Sequence, residues 1–117
     1  MRLCDSDYRF MCIVWEHAPI NSGELVKLCL KDLGWKKSTT YTVVKRLSEK
    51  GFLKNENATV TPLVTKECVQ ADESDYFVQR TFGGSLPSFV AAFLGEKKLS
   101  KEEADEIRKL IDEHREG

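Results

Sequence analysis

The sequence predicts a mainly α-helical fold that carries one small β-hairpin. Apolar residues recur at helical spacing in three N-terminal segments, two short extended runs follow them, and helical patterns return in the C-terminal part. A chain of 117 residues suits one small domain with a helical appendage. We therefore expect one domain at residues 1–71 and a second, helical region at residues 72–117.

The first helix is expected over residues 6–17. Ser6 or Asp5 can serve as its N-cap, because a short polar side chain accepts a hydrogen bond from the first turn. The helix should end at Ala18, since Pro19 disfavours the α conformation in the residue before it.

The second helix begins after Asn21 or Ser22, either of which can cap it. Glu24 stands where it can complete a capping box with Asn21. Gly34 should end this helix, because glycine readily adopts the left-handed conformation that follows many helices.

A β-hairpin is expected after the third helix. Its two runs are "FLKNE" at 52–56 and "TVTPLV" at 59–64, joined through Asn57 and Ala58. Pro62 makes the second run an edge strand, because proline cannot donate to a strand ladder. Three helices followed by a hairpin is the order of a winged helix-turn-helix.

The third helix, expected from about residue 38 to residue 50, combines an apolar face with a basic one. Residues at i, i+3, i+4 and i+7 face inward, and the opposite face holds hydroxyls and cations. Residues 34–54 hold six basic side chains and one acid, although the net charge of the whole chain is -1. We predict DNA contacts from Lys36, Lys37, Ser38, Thr39, Thr42, Lys45 and Arg46.

These residue types match the chemistry of duplex DNA. Hydroxyls at a helix N-terminus can donate to phosphates or base edges, and Arg46 can reach a guanine or a phosphate. Lys36 and Lys37 stand where such a helix meets the DNA backbone. One alternative is an ordinary solvated helix face, and another is a winged helix that binds protein, which should expose apolar groups there instead.

The C-terminal region contains two amphipathic helical patterns. A Phe-rich stripe occupies residues 86–94, and Ser100 with Glu103 starts a last helix that has its own apolar face. So small a region buries too little surface to be stable alone. We predict a homodimerisation region, with intramolecular packing as the alternative. The predicted interface residues are Phe89, Phe93, Ile107, Leu110 and Ile111.

Catalytic and cofactor functions have little support in the sequence. His17 and His114 lie in no catalytic or metal-ligand pattern, there is no Gly-rich phosphate loop, and the four cysteines have no CxxC or CxC spacing. We expect no enzyme, no metal site and no cofactor. No apolar run is long enough to span a membrane, and the N-terminus lacks a signal-peptide core, so we expect a cytoplasmic protein without membrane insertion.

Three stretches of the chain are distinctive: "DSDYRFMCIVWEHAPINSGELV", "GWKKSTTYTVVKRLSEKGFL" and "DESDYFVQRTFGGSLPSFVAAFLGEKKLS". They resemble the BlaI/MecI/CopY family of bacterial repressors, the penicillinase repressors. Tyr8 stands where the family usually has its first Trp, and "NATVTP" lacks the Arg and aromatics usual before the Thr-Pro of the wing. Together the three stretches cover nearly the whole chain.

The resemblance implies a homodimeric repressor on a pseudo-palindromic double-stranded operator, controlling β-lactam resistance or stress genes. It assigns the DNA-contacting positions of the recognition helix to Ser38, Thr39, Thr42 and Arg46. It also implies induction through a membrane-bound β-lactam sensor, which triggers cleavage at an Asn-Phe bond. The aligned bond here is Ala92-Phe93, so the cleavage signal differs from the family's. The CxC pairs of copper-sensing relatives are absent.

Overall fold

A computed structural model describes residues 2–117, which contain six α-helices and three short β-strands. They form two compact units, divided between Phe77 and Val78. In chain order the elements are α1 (Asp5–His17), β1 (Ile20–Asn21), α2 (Ser22–Leu33), α3 (Lys37–Glu49), β2 (Leu53–Glu56), β3 (Thr59–Pro62), α4 (Lys66–Phe82), α5 (Leu86–Leu94) and α6 (Lys101–His114).

Helix α1 begins one residue earlier than predicted. Cys4 is its N-cap and makes no side-chain capping bond, so the prediction of Ser6 or Asp5 as the cap was wrong. Asp5 and Asp7 lie in the first turn, where negative charge is favourable at the positive end of the helix dipole. The helix ends at His17, and Ala18 is extended as predicted.

Helix α2 is capped by Asn21, whose side chain accepts a hydrogen bond of 2.8 Å from the backbone N–H of Gly23. The predicted capping box with Glu24 was wrong, because Asn21 caps the second position of the helix and the Glu24 carboxylate pairs with Lys27 at 3.3 Å. Gly34 ends the helix in the left-handed conformation, with φ of 69°, as predicted.

The sheet has three strands in the order β1–β3–β2, so β3 is central. The prediction of an edge strand was therefore wrong. Strand β1 is only two residues long and pairs Ile20 with Val60, whereas Pro62 lies beyond it and opposes Leu53 of β2 alone. The missing N–H of a proline is tolerated there because β1 does not extend to that position.

Elements of the first unit share one hydrophobic core. Helix α3 contributes its predicted inward face, since Val43, Val44 and Leu47 are all buried. Phe10 of α1 is fully buried and stacks on Trp35, with ring centroids 5.6 Å apart. The remaining buried hydrophobic residues are Leu3, Met11, Ile13, Val14, Ile20, Leu25, Cys29, Phe52, Leu53, Val60 and Val69.

The second unit consists of the end of α4 with α5 and α6. Ser85 accepts a hydrogen bond from the N–H of Ser88, and Ser100 accepts one from the N–H of Glu103, so each helix is capped locally. None of the residues 78–117, all of which are described, is buried in the single chain. Within residues 2–117, no helix combines the length and apolar character that membrane crossing requires.

Candidate nucleic-acid interface

Helix α3 presents a polar, basic face to solvent. Its inward residues are held by the core, so the helical repeat forces the intervening positions outward. Thr40 is buried on the inner side. Six of the seven residues predicted to contact DNA are exposed on or beside this helix: Lys36, Lys37, Ser38, Thr39, Thr42 and Lys45.

The N-terminus of α3 is suited to an anion. Lys36 is the N-cap and offers no side-chain capping bond, and the first turn of the helix holds no acid. The first N–H groups of a helix lack intrahelical partners and carry partial positive charge. Together with Lys36 and Lys37, this end of α3 can bind a phosphate of the DNA backbone.

Thr42 has a defined hydrogen-bonding role on this face. Its hydroxyl donates to the carbonyl of Ser38 at 2.9 Å, one turn earlier. The Thr42 oxygen can therefore still accept a hydrogen bond, and its methyl group is available to a thymine methyl. In this conformation the Thr42 hydroxyl is available to a ligand as an acceptor and not as a donor.

Tyr41 is a surface residue of α3 that sequence reasoning missed. It is 37% exposed, and the Lys37 ammonium lies 5.9 Å from its ring centroid. The spacing could have identified Tyr41 as a residue of this face, because position 41 lies one turn after Lys37 and Ser38 and one turn before Lys45.

Arg46 differs from the other predicted DNA contacts, because its guanidinium is paired inside the protein. Its two terminal nitrogens donate to the two carboxylate oxygens of Asp7, at 2.6 and 2.9 Å. The Arg46 side chain is 41% exposed, whereas that of Asp7 is only 6% exposed. The hydrogen bonds from Arg46 lower the pKa of Asp7, against the opposing effect of burial.

Asp7 was also missed in the sequence, although a signal for it was present. Positions 7, 10, 11 and 14 have the i, i+3, i+4, i+7 spacing of one helix face, and Phe10, Met11 and Val14 are fully buried. An acid on such a face needs a buried cationic or hydrogen-bonding partner. The partner itself lies 39 positions away, and local spacing does not identify it.

The hairpin tip carries no concentrated positive charge. Asn57 and Ala58 both have positive φ, at 52° and 59°, which matches the tight turn of a two-residue hairpin. Lys54 lies 3.8 Å from Glu56, so the one cation of the strand before the turn is paired. The wing is thus electrostatically weaker than α3 as a surface for phosphates.

The predicted dimerisation residues lie in the second unit. Phe93, Ile107, Leu110 and Ile111 are exposed in the single chain, whereas Phe89 is partly buried against aromatic neighbours. Ala92 and Phe93, the predicted cleavage site, are both exposed in the last turn of α5. Within residues 2–117, no cluster of His, Cys, Asp or Glu is arranged to hold a metal ion.

Comparison of the sequence with known proteins identifies a family and several relatives. A family model described as penicillinase repressor matches residues 3–113. The penicillinase repressor of Bacillus licheniformis is 31% identical over 97% of this chain and 92% of its own length. The methicillin resistance regulatory protein MecI of Staphylococcus aureus (strain Mu50) is 24% identical over 93% of this chain and 92% of its own length.

A solved structure resembles part of the chain. It is the solution structure of Bacillus licheniformis BlaI, in its monomeric form, in complex with the blaP half-operator. The match has a TM-score of 0.51 at 28% identity, and it covers 57% of this chain and 87% of the other.

Proposed function

The chain belongs to the penicillinase repressor family, and from this membership we propose that it is a sequence-specific DNA-binding transcriptional repressor. The observation that carries the proposal is the outward face of α3, where lysines and hydroxyls are exposed around an uncapped helix N-terminus. A related chain of similar fold is known in complex with a half-operator, which supports the same assignment. The family is one of repressors rather than of enzymes.

Homodimerisation is the second part of the proposal. The helices of the second unit expose apolar side chains, and a second copy of the chain would cover them. A two-fold dimer presents two copies of α3 to a pseudo-palindromic operator, with half-site centres roughly 10 bp or a multiple apart. Residues 1–71 would bind DNA and residues 72–117 would form the dimer.

Control by a signal is the third part. The family resemblance suggests genes of β-lactam resistance or stress, a membrane-bound sensor and cleavage at Ala92-Phe93. Both residues are exposed in the single chain, and a dimer formed through Phe89 and Phe93 would shield the bond. Ala92 replaces the family's Asn, so we propose a sensor of different specificity or another inducing signal. The protein would act in the cytoplasm, where its operator DNA lies.

Selection of bound sequences from random duplexes tests the DNA-binding proposal. The wild-type chain should enrich one symmetric sequence, and its affinity should fall as salt rises. Lys37→Ala should weaken binding to all sequences alike and reduce the slope of log K against log salt by about one. Lys98→Ala, which removes the same charge after α5, should leave the slope as it is. A wild-type chain without a salt-sensitive preference for any duplex would contradict the proposal.

A winged helix that binds protein remains the alternative from the sequence. The exposed face of α3 is polar around Ser38, Thr42 and Lys45, which favours DNA over a protein partner.

A further inference from the structure

We propose that Asp7 and Arg46 are positioning residues that set the orientation of α3 on α1. In this proposal Arg46 contributes to operator recognition through its ion pair with Asp7 rather than by reading a base. The inference rests on the proposed DNA-binding function and assigns Asp7 a role in it.

The geometry of the pair is that of a two-point clamp. Arg46 lies in the last turn of α3 and Asp7 in the first turn of α1, and two parallel hydrogen bonds of 2.6 and 2.9 Å join them. A bidentate guanidinium–carboxylate contact fixes both distance and plane, which a single hydrogen bond does not. The pair therefore restrains the rotation of α3 about its own axis.

The burial of Asp7 makes the pair difficult to break. Its side chain is 6% exposed, so withdrawal of Arg46 would leave a carboxylate charge that is buried without its partner. Asp7 occupies the end-on fork formed by the two terminal nitrogens, so base reading through that fork would break the pair. The Nε–H and the outer N–H groups of the guanidinium can still donate to DNA while the pair is intact.

The other contacts that hold α3 are mostly non-directional. Val43, Val44 and Leu47 attach its inner face to the core through apolar packing. Apolar packing tolerates small rotations better than a two-point ion pair does, because it does not depend on angles between donors and acceptors. Thr42 and Lys45 lie within one turn of Arg46, so a rotation there would move the side chains that face DNA.

Positioning and base reading by Arg46 predict opposite effects of Asp7→Asn on the affinity for DNA. The substitution removes a negative charge and leaves at most one hydrogen bond on the guanidinium, so an Arg46 that reads a base through its two terminal nitrogens would bind DNA as tightly as before or more tightly. The positioning role predicts weaker binding instead, by about tenfold for the preferred duplex, with preference reduced at several base pairs. The probe is the duplex that the wild-type chain enriches from a random library, beside an unrelated duplex of equal length.

Arg46→Lys provides a second, independent variant. It keeps the charge and can still contact a phosphate, but it loses the bidentate geometry. Positioning predicts the same loss of specific binding as in Asp7→Asn, and no further loss when the two changes are combined. Lys45→Gln is the control on the neighbouring position, and it should weaken both duplexes and reduce the salt slope by about one. Circular dichroism and thermal melting should show that each variant is folded at the temperature of the binding assay.

Two results would overturn the inference. One is wild-type or tighter binding by folded Asp7→Asn, together with loss of preference at one base pair in Arg46→Lys. The other is additive losses in the double variant, since independent effects add and a shared contact does not. A wild-type chain that enriches no duplex would instead overturn the proposed function, and this inference with it, before any variant is compared.

Discussion

The two units of the chain differ in how far their apolar side chains are buried. In the first unit, Phe10, Leu25 and Leu47 have no exposed surface. In the second, Phe93 is 59%, Leu110 57% and Ile111 58% exposed. Both units are built from amphipathic helices, so local sequence periodicity does not explain the difference.

The difference indicates how each unit becomes stable. The first unit closes a core between α1, α2, α3, the start of α4 and a small sheet, whereas α5 and α6 have no buried residue in the single chain. Exposed apolar stripes of this kind mark interaction surfaces. The comparison therefore predicts that the first unit depends on its own packing and the second on another copy of the chain.

The largest expected effect is on assembly. Replacing Leu110 and Ile111 together with Asp should yield monomers, because the dimer would have to bury two carboxylates from each chain. Affinity for a full operator should then fall by about 10²–10⁴, since the two half-sites would be bound independently. Analytical ultracentrifugation and operator titration measure both effects. Lys109→Asp is the control, because it changes the net charge by as much as the double variant does but at an exposed position, and it should remain dimeric. A double variant that is still a dimer would show that the interface lies elsewhere.

Truncation of a leucine to alanine should destabilise the first unit much more than the second. Leu47→Ala removes a fully buried side chain and should lower the free energy of unfolding by about 2–5 kcal/mol. Leu86→Ala removes a side chain of the second unit that is 59% exposed, and it should change the free energy of unfolding by no more than about 0.5 kcal/mol when measured in the monomeric variant with Asp at 110 and 111. Urea unfolding of both proteins provides the comparison. Equal losses would show that the second unit has a core of its own.

The half-buried ion pair of Asp7 and Arg46 should be visible in the pH dependence of stability. The folded-state pKa of Asp7 is lowered, so its contribution is present above the unfolded pKa of ~3.9 and is lost as pH falls through the lower folded value. At neutral pH, Asp7→Asn should cost about 1–3 kcal/mol, at the low end because Arg46 is partly exposed.

Urea unfolding at pH 7 and near pH 3 measures this dependence, and Asp7→Asn should have less of it than the wild type. Asp5→Asn, an exposed acid of the same helical turn, is the matched control and should change stability little. An unchanged pH dependence in Asp7→Asn would show that the pair does not stabilise the fold.

The smallest expected effect on stability concerns a buried hydroxyl in the core of the first unit. The Thr40 hydroxyl is buried and makes no hydrogen bond of ordinary geometry among residues 2–117. Burial raises the pKa of the Cys29 thiol and outweighs a contact with Thr40 that lowers it, so the hydroxyl has a neutral thiol, which is only a weak hydrogen-bonding partner, beside it. Thr40→Val should therefore raise the free energy of unfolding, by about 1 kcal/mol. Thr42→Val, at an exposed hydroxyl, should not raise it, and a loss of stability in Thr40→Val would reveal a hidden partner for the hydroxyl.

Much of this protein follows from local sequence. The inward face of α3, the ends of α1 and α2 at Ala18 and Gly34, and the cap at Ser100 all depend on residues within one or two helical turns. Helical periodicity and capping preferences are local, so one sequence is sufficient to predict them. The exposed basic face of α3 lies opposite its buried face, so a sequence that predicts one face also predicts the other.

Only the tertiary structure decided the rest. Strand β1 has two residues and no pattern of its own, so its pairing with β3, which makes β3 central, comes from chain geometry. The bond between Asp7 and Arg46 likewise joins positions 39 residues apart. Spacing along the sequence indicates which face of a helix a residue occupies, but which residue it meets across the core depends on how the helices pack. For that reason the sequence predicted where Arg46 lies on α3, and the fold determined that it contacts Asp7.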